Sequence, residues 1–194
     1  MRLIVGLANP GSQYAATRHN AGAWFVEALA KEQNIRWQTI SKFHAHIGEI
    51  TSPTGQTLYL AIPTTFMNHS GQAIAAIANF YKILPQEILV AHDELDLPVG
   101  TVRLKLGGGH GGHNGLRSTM DLLHSRDFYR LRLGIGHPGV REQVTPYVLG
   151  TPTKGEQQAI HHAISQVTER LDLLFGSNLD KLMQQLNTAS KAGV

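Results

Sequence analysis

The chemistry open to this chain of 194 residues rests on eleven histidines, several asparagines and paired basic residues, because it has no cysteine. Thiolate nucleophiles, thiolate zinc sites and disulfides are therefore excluded. Zinc held by histidine needs three or four ligands, and His110 with His113, inside a glycine run without a nearby glutamate, has unhelpful spacing. No Gly-x-Ser-x-Gly elbow is present, which weakens a serine hydrolase. General-base chemistry asks for less: one imidazole beside a water, held in one tautomer by a carboxylate. His19 with Asp93 can provide that pair. His44, His46, His69, His124, His161 and His162 are read as ordinary loop or surface histidines. Asn9, Asn68 and Asn114 each stand beside an expected strand end. Asparagine is by default a turn residue. It also offers a donor and an acceptor without charge, which suits a peptide amide or ester carbonyl. Asn20 and Asn34 are read as cap and turn residues.

Residues 106–116 hold six glycines with His110, His113 and Asn114. Before this run, Val102, Leu104 and Leu106 alternate with Arg103 and Lys105, a strand with both cations on one side. Arg130 and Arg132 alternate in the same way on a later strand. Two such pairs bracketing a glycine loop suggest an anionic partner, phosphate above all. Gly107, Gly109 and Gly112 formally match a dinucleotide fingerprint. The match is discounted, since the next acidic residue, Asp127, precedes a strand instead of ending one. Gly6 and Gly11 have P-loop spacing, but Ser12 and Gln13 replace its Lys-Ser/Thr.

These groups need elements to carry them. The pattern predicts a buried strand over 2–7, a helix after Asn20, a hairpin from 43–50 and 57–62, and a helix with Ile74, Ile77 and Tyr81. Strands over 87–93, 101–106 and 129–135 follow, then a long irregular loop over 136–150. One long amphipathic helix runs from beyond Thr153 to Leu174, and Gly176, Ser177 and Asn178 separate it from a last helix. Alternating strands and helices predict an α/β fold: one domain over residues 1–194, with a twisted, mixed, largely parallel sheet and helices on both faces. If the strands are parallel, the loops holding Asn9, His19, Asn68, His92, Asp93, His110, His113 and Asn114 converge on one rim, where such folds bind ligands. Hydrophobic content of 42%, a net charge of +3 and no long apolar segment describe a cytoplasmic protein that permits, without requiring, a nucleic-acid partner.

The chain resembles bacterial peptidyl-tRNA hydrolase nearly end to end. The resemblance is carried by six ordered segments, at residues 5–11, 17–22, 63–68, 92–96, 107–115 and 130–139. It implies a metal-free, cofactor-free and generally monomeric esterase that frees tRNA from prematurely released peptidyl-tRNA. By that resemblance His19 activates water and Asp93 supports it. Asn9, Asn68 and Asn114 position the acyl-ester end, Tyr14, Met67 and His113 line the same cleft, and Lys105 and Arg132 clamp the tRNA 5′-phosphate. Ala8 stands where many members have glycine, and Arg103 where lysine is frequent. Beyond Gly150 the match is mainly one of helical pattern. Two other classes compete: a phosphorylase- or aminopeptidase-like enzyme on a similar sheet, and a non-catalytic RNA-binding module.

Overall fold

The computed structural model describes residues 1–52, 54–175 and 178–189. In chain order the strands are β1 (Leu3–Gly6), β2 (Gln38–Ile40), β3 (Ala45–Thr51), β4 (Thr57–Pro63), β5 (Ile88–Glu94), β6 (Val102–Leu106) and β7 (Tyr129–Gly134). The helices are α1 (Ala21–Glu32), α2 (Ser70–Tyr81), α3 (Asn114–Leu123), α4 (Val144–Val148), α5 (Lys154–Thr168), α6 (Leu171–Leu174) and α7 (Leu179–Ala189). All seven strands join one sheet in the order β2-β3-β4-β1-β5-β7-β6. Its centre, β4-β1-β5-β7, is parallel, and the flanks, β2-β3-β4 and β7-β6, are antiparallel.

Side chains alternate across each strand, so neighbouring residues feed two different cores. Ile4, Leu89 and Leu131 face a layer built by Phe25 and Leu29 of α1, Ile160 of α5 and Leu182 of α7. Leu3, Val5, Ile88 and Val90 face Ile74 and Ile77 of α2 and Leu116 and Met120 of α3. Helices therefore cover both faces, and β1 and β5 at the centre are buried along almost their whole length, as parallel strands between two layers must be.

Three expectations need correction. The glycine loop does not leave the shared rim of parallel strands, because β6 runs antiparallel to β7, with Leu106 opposite Tyr129 at the far end. Residues 136–150 are not wholly irregular: a 3-10 turn, Arg141–Gln143, leads into α4. Pro146 is tolerated there because the first turn of a helix needs no N–H from it. The single long helix beyond Thr153 is two, α5 and α6, with a break after Thr168. The start of α5 is fixed by a reciprocal pair of bonds between Thr153 and Glu156. Of the proposed separator before α7, Gly176 and Ser177 lie outside the described residues.

On the outer side of β6, α7 supplies what a further strand would. The Asn187 side chain accepts from the Leu104 N–H (3.2 Å) and donates to the Leu104 carbonyl (3.0 Å). Arg103 adds a bond to the Asn187 carbonyl.

Candidate active site

His19 lies in a 3-10 turn, Arg18–Asn20, that leads directly into α1. What brings it to the sheet is the approach of α1 to β5. A Cβ on Gly22 would lie 2.2 Å from the Ala91 carbonyl oxygen, so only glycine lets the helix start there. Asp93 is two residues beyond Ala91 on the same face of β5. The result is a pair of contacts from His19 Nδ1 to Asp93, 2.9 Å to Oδ1 and 3.1 Å to Oδ2. The carboxylate accepts, so Nδ1 carries the hydrogen and Nε2 keeps its lone pair.

A second imidazole reaches the same carboxylate. His113 Nε2 donates to Asp93 Oδ1 at 2.8 Å. Its tautomer is set from the other side: His113 caps α3, and its Nδ1 accepts from the N–H groups of Gly115 and Leu116. Burial alone would push the Asp93 carboxyl up, but His19 and His113 outweigh it and hold Asp93 well below the ordinary carboxylate range. Burial works to lower the His19 pKa, but the charge and hydrogen bond of Asp93 win, so it is raised above its ordinary value. His92, next in the strand, points to the opposite face and is 2% exposed. Burial, reinforced by His113, pushes its pKa down to about 3, so it is a neutral imidazole. Its Nδ1 donates to the Asp93 carbonyl at 2.7 Å, and its Nε2 has no partner among the described residues.

His19, Asp93 and His113 bring potential metal-ligand atoms within 4.8 Å of one another. The helix end argues against that use. With two N–H groups directed at Nδ1 of His113, its Nε2 must carry the hydrogen and has no lone pair to offer a metal.

These three residues line a cleft of about 730 Å³ together with Asn114, Lys105 and Arg132. Asn114, exposed, opens α3 beside His113. Asn9 lines a second hollow of about 320 Å³. Its Oδ1 accepts from the Met67 N–H at 2.8 Å, which ties the loop after β1 to the loop after β4. Met67 is 4% exposed, and its sulfur packs beneath Gly115 as support for the first turn of α3. Asn68 is exposed and meets His69 Nε2 at 3.2 Å. Tyr14 packs edge-on against exposed Phe66, with ring centroids 6.2 Å apart. Tyr14, Met67 and Asn68 line neither hollow.

Of the four basic strand residues, two are occupied structurally. Arg103 is bonded to α7, and Arg130, 3% exposed, donates to the carbonyls of Gly108 and Gly109 and stacks over Phe128. Arg130 thus draws the glycine run back across β7 toward the rim that β6 itself leaves. Positive φ angles at Gly107, Gly108, Gly111 and Gly112 make that return path possible. Lys105 and Arg132 are diagonal neighbours across the β6–β7 ladder, both on the cleft. Glu94 holds Arg132 through Nε at 2.8 Å, and among the described residues that guanidinium makes no other bond, leaving its two terminal nitrogens for an anion.

Sequence reasoning passed over Glu94 and Arg18, read Asn20 as a helix cap, and took Arg130 with Arg132 as an anion-binding pair. Asn20 makes no helix cap; its side chain accepts from the Asn9 N–H and donates to the Asn9 carbonyl, both at 2.9 Å. It fixes the backbone of the residue expected to meet the ester. The only local signal was its place directly after His19.

A mixed α/β sheet carrying a His–Asp pair with an open imidazole nitrogen, beside a basic mouth, is an arrangement able to activate water next to an anionic group. The family model for peptidyl-tRNA hydrolase matches residues 3–193. A peptidyl-tRNA hydrolase of Aliivibrio salmonicida is 54% identical over 189 residues, 97% of this chain and 96% of that protein. One from Coxiella burnetii is 52% identical over 188 residues, 97% and 98% of the two chains. The crystal structure of peptidyl-tRNA hydrolase from Acinetobacter baumannii superposes with a TM-score of 0.92 at 47% identity, covering 96% of this chain and 94% of that one. The chain belongs to the peptidyl-tRNA hydrolase family. A methylthioadenosine nucleosidase from Arabidopsis thaliana, at 12% identity and a TM-score of 0.53, shares the fold alone.

Proposed function

We propose that His19 is the general base with which the chain hydrolyses the ester joining the peptide to the 3′-terminal ribose of peptidyl-tRNA. The observation that carries this reading is the His19 Nδ1 contact to a buried Asp93, which leaves Nε2 as the basic atom on a ring lining the cleft. Nε2 takes one proton from water as the water oxygen bonds to the ester carbonyl carbon. Collapse of the tetrahedral species breaks the bond to the ribose oxygen, and the imidazolium returns the proton to that oxygen. The products are a peptide with a free carboxyl group and tRNA with a free hydroxyl. Asp93 stabilises the imidazolium between the two steps, and His113, itself locked by α3, keeps Asp93 in place.

The recognition roles follow the same division of space. Asn9, Asn68 and Asn114 hold the acyl end through neutral amides, with Tyr14 and Met67 shaping and supporting that region, while Lys105 and Arg132 take a tRNA phosphate. No described helix is long and apolar enough to cross a membrane, and we place the chain in the cytoplasm as a monomer. The test is cleavage of purified N-acyl-aminoacyl-tRNA by the wild type and by His19→Ala. Turnover by the variant at the wild-type rate would remove His19 from its role.

A further inference from the structure

Arg18 precedes the base by one residue and is buried, at 8% exposure, although it carries a full charge. Every contact of its guanidinium is with the chain far ahead. Nη1 donates to the carbonyls of Tyr147 and Thr151, both at 3.3 Å, and Nη2 forms an ion pair with Glu156 at 2.9 Å. The Arg18 Cζ lies over the Tyr147 ring, 4.2 Å from its centroid. The Arg18 backbone N–H also donates to the Gly150 carbonyl at 3.1 Å. Tyr147 is fixed at its other end by a 2.6 Å bond from its hydroxyl to the Ile135 carbonyl. The segment so held bears one wall of the cleft, through Arg141, Val144, Thr145 and Val148.

We propose that Arg18 is a positioning residue that fixes this wall relative to the base, so that the 3-10 turn carrying His19 and the segment over 140–151 are placed as one unit. The proposal rests on the cleft being the substrate site. Apart from Arg18 the wall is held by Val148, Val144 and Tyr147 against the core and by the Tyr147 hydroxyl, while residues 141–143 and 145–146 are exposed and α4 has only five residues. His19, by contrast, keeps its own bonds to Asp93 when Arg18 changes. Loss of the anchor therefore weakens substrate binding and spares the chemical step. Lysine cannot replace it, because one ammonium cannot span two carbonyls and a carboxylate while also covering the ring.

The experiment is steady-state kinetics on N-acyl-aminoacyl-tRNA with Arg18→Lys, Glu156→Gln and the double variant, together with amide hydrogen exchange. Arg18→Lys is expected to raise KM about tenfold and leave kcat within about threefold of wild type. Glu156→Gln gives a smaller rise, and the double variant is no worse than Arg18→Lys, since both remove one anchor. Exchange over 140–151 quickens, while that of β1 and β5 is unchanged. A merely structural role would lower kcat in proportion to the folded fraction and leave KM in place. That result, additive KM effects, or unchanged exchange over 140–151 would overturn the proposal. His19→Ala in the same assay tests the base separately: its wild-type turnover would sink the base assignment and leave the KM comparison standing.

Discussion

Asp93 receives N–H groups from two imidazoles, and this sets the pH behaviour of the site. The proposed base, His19, can take a proton only when neutral, and its pKa is raised by Asp93. The acid limb of kcat/KM is therefore expected above the ordinary histidine value, and Asp93→Asn should move it to lower pH while lowering kcat. A limb that stays in place would mean another group titrates. His19→Ala should reduce kcat by roughly 10²–10⁴, the usual span for a positioned base. His92 gives the opposite sign in stability: its folded pKa is depressed to about 3, so the unfolded chain binds the proton first. That contribution is complete above the unfolded value near 6.5 and is lost as pH falls toward 3. Thermal melts of His92→Gln should show a flatter decline across that window than the wild type. At this scale the sequence revealed residue types and missed relations. His19, Asp93 and the loop asparagines were visible as donors and acceptors. The Asn20 clasp on Asn9 was hidden because it exists only once two loops meet.

Elements decide whether those side chains reach one another. The site depends on α1 starting hard against β5, which Gly22 permits. Gly22→Ala places a methyl group on backbone that cannot step aside, and should cost about 1–3 kcal/mol in urea denaturation. It should also lower kcat of the folded enzyme by pushing His19 off Asp93. Reduced stability with unchanged kcat would show that α1 does not place the base. Periodicity identified the strands and most helices, because alternating burial leaves its mark on residue type. It said nothing of strand direction, since alternation reads the same both ways. A signal for β6 did exist: only residues 95–101 connect it to β5, and a parallel crossover needs about a dozen residues or more. In α4, Pro146 masked a turn of helix that Tyr147 and Arg18 hold from outside.

For the whole molecule, the charge that matters is local, since the net charge of +3 is slight. Lys105 and Arg132 line the cleft, and so do Arg117 and Arg141. Affinity for tRNA should fall with salt, and Lys105→Ala should reduce the slope of log(kcat/KM) against log[salt] by about 0.7–0.9, the share of one phosphate contact. An unchanged slope would take Lys105 out of phosphate binding. Strand periodicity could not separate Lys105 and Arg132 from Arg103 and Arg130, and only the family resemblance singled them out. All four fit one alternation pattern, and only the packed structure shows two of them spent on α7 and on the glycine loop.

The edge of a sheet is an open template on which another chain can add a strand, and β6 is such an edge. Here the position is already taken by a helix, through the Asn187 amide bonded to both polar groups of Leu104. A side chain can imitate one rung of a ladder but cannot be extended into a new strand, so it ends the sheet instead of passing it on. If that cover matters, α7 guards a folding chain against its own neighbours. Asn187→Ala should leave kcat unchanged and increase light scattering during concentrated refolding.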